Sequence, residues 1–363
     1  MIKILHITPN FNYNCGRSKL VYFYLQYFGN HNNYETHFIT NGGDSLDRLK
    51  EIPSLKFQAF NFSTGYKNIL NIKYFYKKLK TYVIENKINL IHTHHRFPEL
   101  IAVALEKKMD IKTVVSTHGY IYGFTKISFK SDIIVSVSKL MSNYLTDKFK
   151  VPNEKIKTLY NPTYRFQNLD LAELENFKKE NGIFSDQKIL LFVGRITMEK
   201  GYDTLLKSFE IVSKRNRNVV LIINGQLNKK TNGFTSIFKN EKIIYVPPRD
   251  DISNLYSTAD LVILPSRTDS FPFVMIEAGS FKKPFIGGNT GGIAEFIEDG
   301  KNGFLIDPEN PEQLAEKIIY LLSNPDKGKI LGENLYEKVS RLCDYNNYFN
   351  EVEKIYNSLL TSE

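Results

Sequence analysis

The sequence predicts an α/β protein built from two doubly wound, mostly parallel sheets. Three observations carry this reading. Short β-branched runs alternate with longer amphipathic stretches along the whole chain, the alternation pauses once near residue 165 before restarting, and 363 residues exceed what a single core usually fills.

The first series of strand patterns covers 2–7, 34–39, 56–60, 89–93, 112–117, 132–137 and 156–160. Helical periodicity fits between them at 17–28, 70–86, 98–108 and 138–148. Proline at 162 biases Asn161 away from helix, and the polar stretch that follows holds one helix at 170–181 and no strand up to about Gln187. A second series then runs through 188–193, 218–223, 242–246, 260–264, 284–286 and 303–306. The expected domains are therefore 1–165 and 166–345, both Rossmann-like. Beyond them, residues 346–363 place Tyr348, Phe349, Val352, Ile355, Tyr356 and Leu359 at helical spacing, a helix that either covers its own domain or crosses back to the first.

Hydrophobic residues are 42% and charged residues 24%, as in ordinary globular proteins, and no run nears the ~18 apolar residues of a membrane span. Met1 to Ile7 is too short and too β-branched for a signal peptide and reads as a first buried strand. Cys15 and Cys343 match no disulfide or zinc spacing, so a reducing cytoplasm is the expected compartment. The net charge of +9 is uneven: residues 1–163 hold 23 Lys and Arg against 11 Asp and Glu, and the remainder holds 25 against 28. A basic first half suits either an anionic lipid surface, an anionic acceptor or a solvated lysine-rich face. The stretch 66–80, which mixes Tyr66, Tyr74, Phe75 and Tyr76 with five lysines, is either a peripheral contact for the inner leaflet or a crossover helix. No nucleic-acid motif accompanies the charge, and Asn10 to Arg17 lacks the Gly-x-Gly-x-x-Gly of a dinucleotide oxidoreductase.

Three segments of the second half carry chemistry. Phe192 to Gly201 is a strand that ends at Gly194 and sets Arg195 and Lys200 ahead of a helix, cations suited to a diphosphate. Leu264 to Ala278 places Asp269 in a loop and Glu277 in the following helix, where two carboxylates can bracket the hydroxyl groups of a ligand. Gly287 to Glu295 is a glycine-rich turn that lets a backbone approach a phosphate.

In order and spacing these segments resemble the retaining glycosyltransferases of family four, and the resemblance spans nearly the whole chain. It implies the GT-B fold, two Rossmann-like domains facing across a cleft, the first binding the acceptor and the second the nucleotide-sugar donor. By that resemblance Gly194, Arg195 and Lys200 grip the donor diphosphate. Asp269 contacts the donor sugar and Glu277 the ribose, with Phe271, Phe273, Val274, Gly291 and Gly292 completing the donor site. The closing Asp299-Gly300-Lys301-Asn302-Gly303 also fits. In the first half, His118 matches the strand-end histidine that faces the donor sugar, and Gly16 is the one glycine kept from a usually paired set. The expected catalytic residues are thus Arg195, Lys200, His118 and Asp269.

The chain departs from the family at Asp269, where glutamate is usual, and at Pro272, where glycine is common. The shorter acid either selects a different sugar or weakens activity. His92, His94 and His95 sit close in sequence, yet no acidic residue at ligand spacing joins them and the family uses no metal, so no metal and no cofactor are expected. The expected activity is a retaining, metal-independent transfer from a nucleotide-diphosphate sugar, with UDP the commonest base. The acceptor would be a glycan or lipid-linked sugar in bacterial surface polysaccharide or lipopolysaccharide assembly. The alternative is a non-catalytic nucleotide-sugar-binding subunit.

Overall fold

The computed structural model describes residues 1–13, 15–60, 62, 69–163, 170–227, 240–249 and 252–361. Asn14 of the first loop and 66–68 of the lysine-rich stretch lie outside them. The chain divides into two compact units, Met1–Asn161 with Asn346–Glu363, and Pro162–Tyr345.

The first unit runs β1 (Ile2–Thr8), α1 (Gly16–Gly29), β2 (Tyr34–Thr40), β3 (Lys56–Ala59), α2 (Ile69–Asn86), β4 (Leu90–Thr93), α3 (Arg96–Glu106), β5 (Lys112–Ser116), β6 (Ile133–Ser136), α4 (Lys139–Phe149) and β7 (Ile156–Thr158). Its seven strands pair in the order β3-β2-β1-β4-β5-β6-β7, all parallel. Central strands of such a sheet are covered on both faces, which is why Ile4, Leu5 and Ile7 are all fully buried. Helix α2 turns Phe75, Leu79 and Val83 into the core while Lys73, Tyr74, Lys77 and Lys78 face solvent. It is a crossover helix with a basic outer face.

Glu99 of α3 is a buried carboxylate that organises a loop. Its oxygens accept from the amides of Phe129 at 2.8 Å, Lys130 at 2.6 Å and Ser131 at 3.3 Å, so it ties down the end of the loop that follows β5. Burial pushes its carboxyl up, and the three amides oppose that shift.

The second unit runs α5 (Leu171–Glu180), β8 (Lys188–Val193), α6 (Tyr202–Arg215), β9 (Val219–Asn224), β10 (Ile243–Val246), α7 (Ser253–Thr258), β11 (Leu261–Leu264), α8 (Phe273–Ser280), β12 (Phe285–Gly288), α9 (Gly291–Phe296), β13 (Phe304–Ile306), α10 (Pro311–Ser323) and α11 (Pro325–Leu342). Its sheet order, β10-β9-β8-β11-β12-β13, reverses direction between β8 and β11. In open α/β sheets, ligands gather at such a reversal, beyond the carboxyl ends of the strands. The three motif segments of the second half all follow strands on that side: β8, β11 and β12.

The last helix, α12 (Tyr345–Thr361), belongs with the first unit. Its Phe349 ring stacks on Tyr27 with centroids 4.5 Å apart, and the hydroxyls of Tyr348 and Tyr24 are 2.9 Å apart. Tyr356 meets His92 Nδ1 at 2.5 Å. Fully burying aromatic rings of this size contributes roughly 1.5–3 kcal/mol each. Among the described residues no helix is long and apolar enough to cross a membrane.

Candidate functional site

The site is built where β8, β11 and β12 of the second unit end. After Val193 the chain passes Gly194, whose φ of +148° suits glycine, and makes a short 3₁₀ turn over Met198–Lys200 before α6. Gly201, at φ +71°, is obligatory there, because a Cβ would run into the carbonyl of Pro265. The β8 turn is therefore pressed against the start of the β11 loop.

That contact brings Lys200 to Asp269, and the two form an ion pair in which both side chains are mostly buried, at 16% and 8% exposure. Ser266 Oγ lies 3.4 Å from the same Asp269 oxygen. A lysine ammonium has three donors, so Asp269 engages one and leaves the others able to meet phosphate oxygens. Arg195 is half exposed and pairs with Glu199, four residues on, at 3.3 Å, an arrangement that costs little to rearrange around a ligand.

The glycine-rich turn packs against the same loop. The amide of Gly292 donates to the Asp269 carbonyl at 3.0 Å. A Cβ on Gly291, Gly292 or Gly288 would collide with the carbonyls of Asp269, Ser270 and Ser266 respectively. These glycines thus let the β12 turn lie directly on the backbone that carries Asp269.

Glu277 is buried in α8, and the Tyr256 hydroxyl of α7 donates to its Oε2 at 2.5 Å. Phe273 and Val274 open α8 and are partly exposed, whereas the Phe271 ring is buried edge-on against Phe296 at 5.3 Å. Phe271 can therefore reach a ligand only through its backbone. The Asp299-to-Gly303 motif closes a turn, with the Asp299 carboxylate accepting from the Leu305 amide at 2.8 Å.

One residue of this site carried no signal in the sequence. Arg267 makes a bidentate pair with Asp203 of α6, both contacts at 2.8 Å, and also meets Glu309 and the Met198 carbonyl. It clamps the β8 turn, the β11 loop and the segment after β13 together. The Asp203 and Glu309 carboxylates hold its guanidinium above the ordinary range.

Two expected site residues lie in the first unit. Gly16 opens α1 beside Ser18, whose hydroxyl accepts from the Asn12 amide at 3.0 Å. His118 lies just past β5, with Nε2 3.3 Å from His94 Nδ1. Burial, with Arg17 and His95 adding to it, pulls its imidazole down to about 3, so it is neutral at pH 7. The other histidines do not group as their sequence spacing suggested: His92 and His94 join His6 in the core, while His95 Nδ1 accepts from the Phe97 amide and caps α3.

The family model described as Glycosyl transferases group 1 matches residues 173–338, and that described as Glycosyltransferase Family 4 matches residues 24–163. Spore coat protein SA of Bacillus subtilis is 30% identical over 277 residues, covering 69% of this chain and 73% of that protein. N-acetyl-alpha-D-glucosaminyl L-malate synthase of Bacillus anthracis is 27% identical over 300 residues, 76% of each chain. The capsular polysaccharide biosynthesis glycosyltransferase CapM of Staphylococcus aureus is 22% identical over 346 residues, 90% of this chain and 91% of that one. Among solved structures, Anabaena HepE in complex with UDP-glucose superposes with a TM-score of 0.82 at 16% identity, covering 99% of this chain and all of that one. At that identity the likeness speaks to the fold, which is GT-B.

Proposed function

The chain belongs to the glycosyl transferases group 1 of glycosyltransferase family four and is a glycosyltransferase, and we propose that it moves a hexose or N-acetylhexosamine from a UDP-sugar with retention and without a metal ion. The acceptor in this reading is a hydroxyl of a glycan or lipid-linked sugar in bacterial surface polysaccharide or lipopolysaccharide assembly, at the cytoplasmic face of the membrane. The basic outer face of α2 suits such a surface.

One observation carries the reading: Lys200, Asp269 and the glycines at 291 and 292, far apart in sequence, meet at the sheet reversal of the second unit. Breaking the glycosidic bond to the diphosphate leaves negative charge on the departing oxygen. Lys200 and the half-exposed Arg195 stabilise that charge, the task a metal performs in other transferases. Asp269, held by Lys200, accepts from hydroxyls of the donor sugar, and Glu277 from the ribose. The acceptor hydroxyl attacks the face the diphosphate leaves, and a donor phosphate oxygen takes its proton, so no protein nucleophile is required. HepE, solved with UDP-glucose, and the enzyme that makes N-acetylglucosaminyl malate support the choice of donor, and CapM supports the choice of acceptor.

The test is release of nucleoside diphosphate from a panel of nucleotide sugars, with and without chelator and glycan or lipid-linked acceptors. Lys200→Ala is expected to lower the rate more than 10²-fold, about 3 kcal/mol of transition-state stabilisation on the scale of oxyanion donors. Turnover that needs a divalent ion, or that survives Lys200→Ala, contradicts the proposal.

A further inference from the structure

His118, itself partly exposed, is the last of a row of histidines in the first unit whose other two members, His94 and His6, are buried. His6 of β1 and His92 of β4 are register partners, and the chain beyond β4 stays beside β1, the His94 amide donating to the Ile7 carbonyl at 2.9 Å. His6 Nδ1 lies 3.2 Å from His94 Nε2, and His94 Nδ1 lies 3.3 Å from His118 Nε2. The far end of the row is orphaned: His6 Nε2 is buried and meets no hydrogen-bond partner.

These rings do not form a metal site. Although ligand atoms of His6, His92 and His94 lie within 4.8 Å of one another, both nitrogens of His92 are already engaged, by Tyr356 at 2.5 Å and Ser116 at 2.7 Å. The His92 and His94 rings are also stacked, centroids 4.4 Å apart and 26° between planes, which keeps their in-plane lone pairs from converging on one ion.

Burial keeps the three rings of the row neutral, well below the ordinary histidine range. A neutral imidazole has one N–H and one lone pair, so two bonds linking three rings admit only two consistent arrangements. If His6 Nδ1–H donates to His94 Nε2, then His94 Nδ1–H donates to His118 Nε2, and the orphan at His6 Nε2 is a lone pair. In the reverse arrangement that orphan is an N–H. Buried N–H groups without an acceptor are the rarer and costlier kind.

We propose that His94 and His6 are positioning residues that hold His118 as its Nδ1–H tautomer, with Nε2 accepting from His94. The inference rests on the reading of His118, by family resemblance, as the strand-end histidine that faces the donor sugar. Its consequence is that His118 Nδ1 carries a hydrogen, so that this nitrogen donates hydrogen bonds and does not act as a base. This agrees with a reaction in which a donor phosphate takes the acceptor's proton.

Long-range proton–nitrogen correlation on the full chain, labelled with 15N-histidine and assigned with His118→Gln, reads the tautomers directly. His118 is expected to show a pyrrole-type Nδ1 and a pyridine-type Nε2; the opposite pattern in the wild type overturns the proposal. Asparagine places an amide N–H near the position of His Nδ1, so His94→Asn is expected to keep the His118 pattern. His94→Leu is expected to let Nε2–H appear, and an unchanged His118 spectrum in that folded variant also overturns the positioning role. Unaltered nucleoside diphosphate release in His118→Gln removes His118 from the site and leaves the tautomer assignment standing, so the two failures are distinguishable.

Discussion

Replacing Gly291 with alanine tests whether the glycine turn after β12 sets the position of Asp269. Gly291 has φ +49°, and a Cβ there would stand 1.8 Å from the Asp269 carbonyl oxygen, where real contacts stay beyond 3.0 Å. The loop bearing Asp269 must then retreat by ~1 Å, and displacements of that size can cost on the order of 10²-fold in rate. Left-handed backbone alone costs alanine roughly 1–2 kcal/mol. Gly300→Ala separates the two effects, since Gly300 has φ +72° but a Cβ added to it would find its nearest neighbour, an atom of Phe304, 3.9 Å away. Both variants are expected to lose similar stability from backbone strain in thermal denaturation, with Gly291→Ala losing somewhat more. Only Gly291→Ala is expected to lose roughly 10²-fold in nucleoside diphosphate release. Equal activities in the two variants would show that the turn does not set the position of Asp269.

Tyr256→Phe removes the hydroxyl that donates to buried Glu277, and is expected to cost roughly 1–3 kcal/mol in denaturant unfolding and to weaken nucleotide binding through the ribose contact; unchanged stability would show that the bond contributes nothing. A pH effect should arise within the first unit at Glu106, whose carboxyl is pushed up to about 8 by burial and then by the Asp132 carboxylate, with the Thr113 hydroxyl and Lys112 opposing. Unfolded, it ionises near pH 4.5, so between about 4.5 and about 8 the folded chain holds a proton that the unfolded chain has lost, and its contribution to stability falls as pH rises through that window. Glu106→Gln should therefore melt progressively higher than wild type as pH rises from about 5 to about 9, and a pH-independent difference would count against the assignment.

Much of the fold is legible because parallel strands announce themselves locally. Ile189 to Phe192 is an apolar run stopped by Gly194, and Lys188–Val193 is a strand; Leu261–Leu264 lies within its expected 260–264. Strand order is not local information, so the reversal between β8 and β11 that locates the site comes from the structure alone. Within the site, the residues recognised by spacing are those whose partners lie in other motifs, as with Lys200 and Asp269. Arg267 and Asp203 escaped because an ion pair across 64 residues leaves no periodic trace. The histidines were legible in principle: two-residue alternation sends His92 and His94 to one face, while His95 begins the turn into α3. What no pattern shows is that His6, from the strand alongside, completes the row.

If Lys200, paired with Asp269, holds a donor diphosphate without a metal ion, isothermal titration of UDP into the wild type and Lys200→Ala, each with and without chelator, will show it. One-site binding is expected, indifferent to chelator and at least tenfold weaker in Lys200→Ala, a loss of ~1.4 kcal/mol or more. Binding abolished by chelator, or equally tight in both proteins, would rule out that role for Lys200.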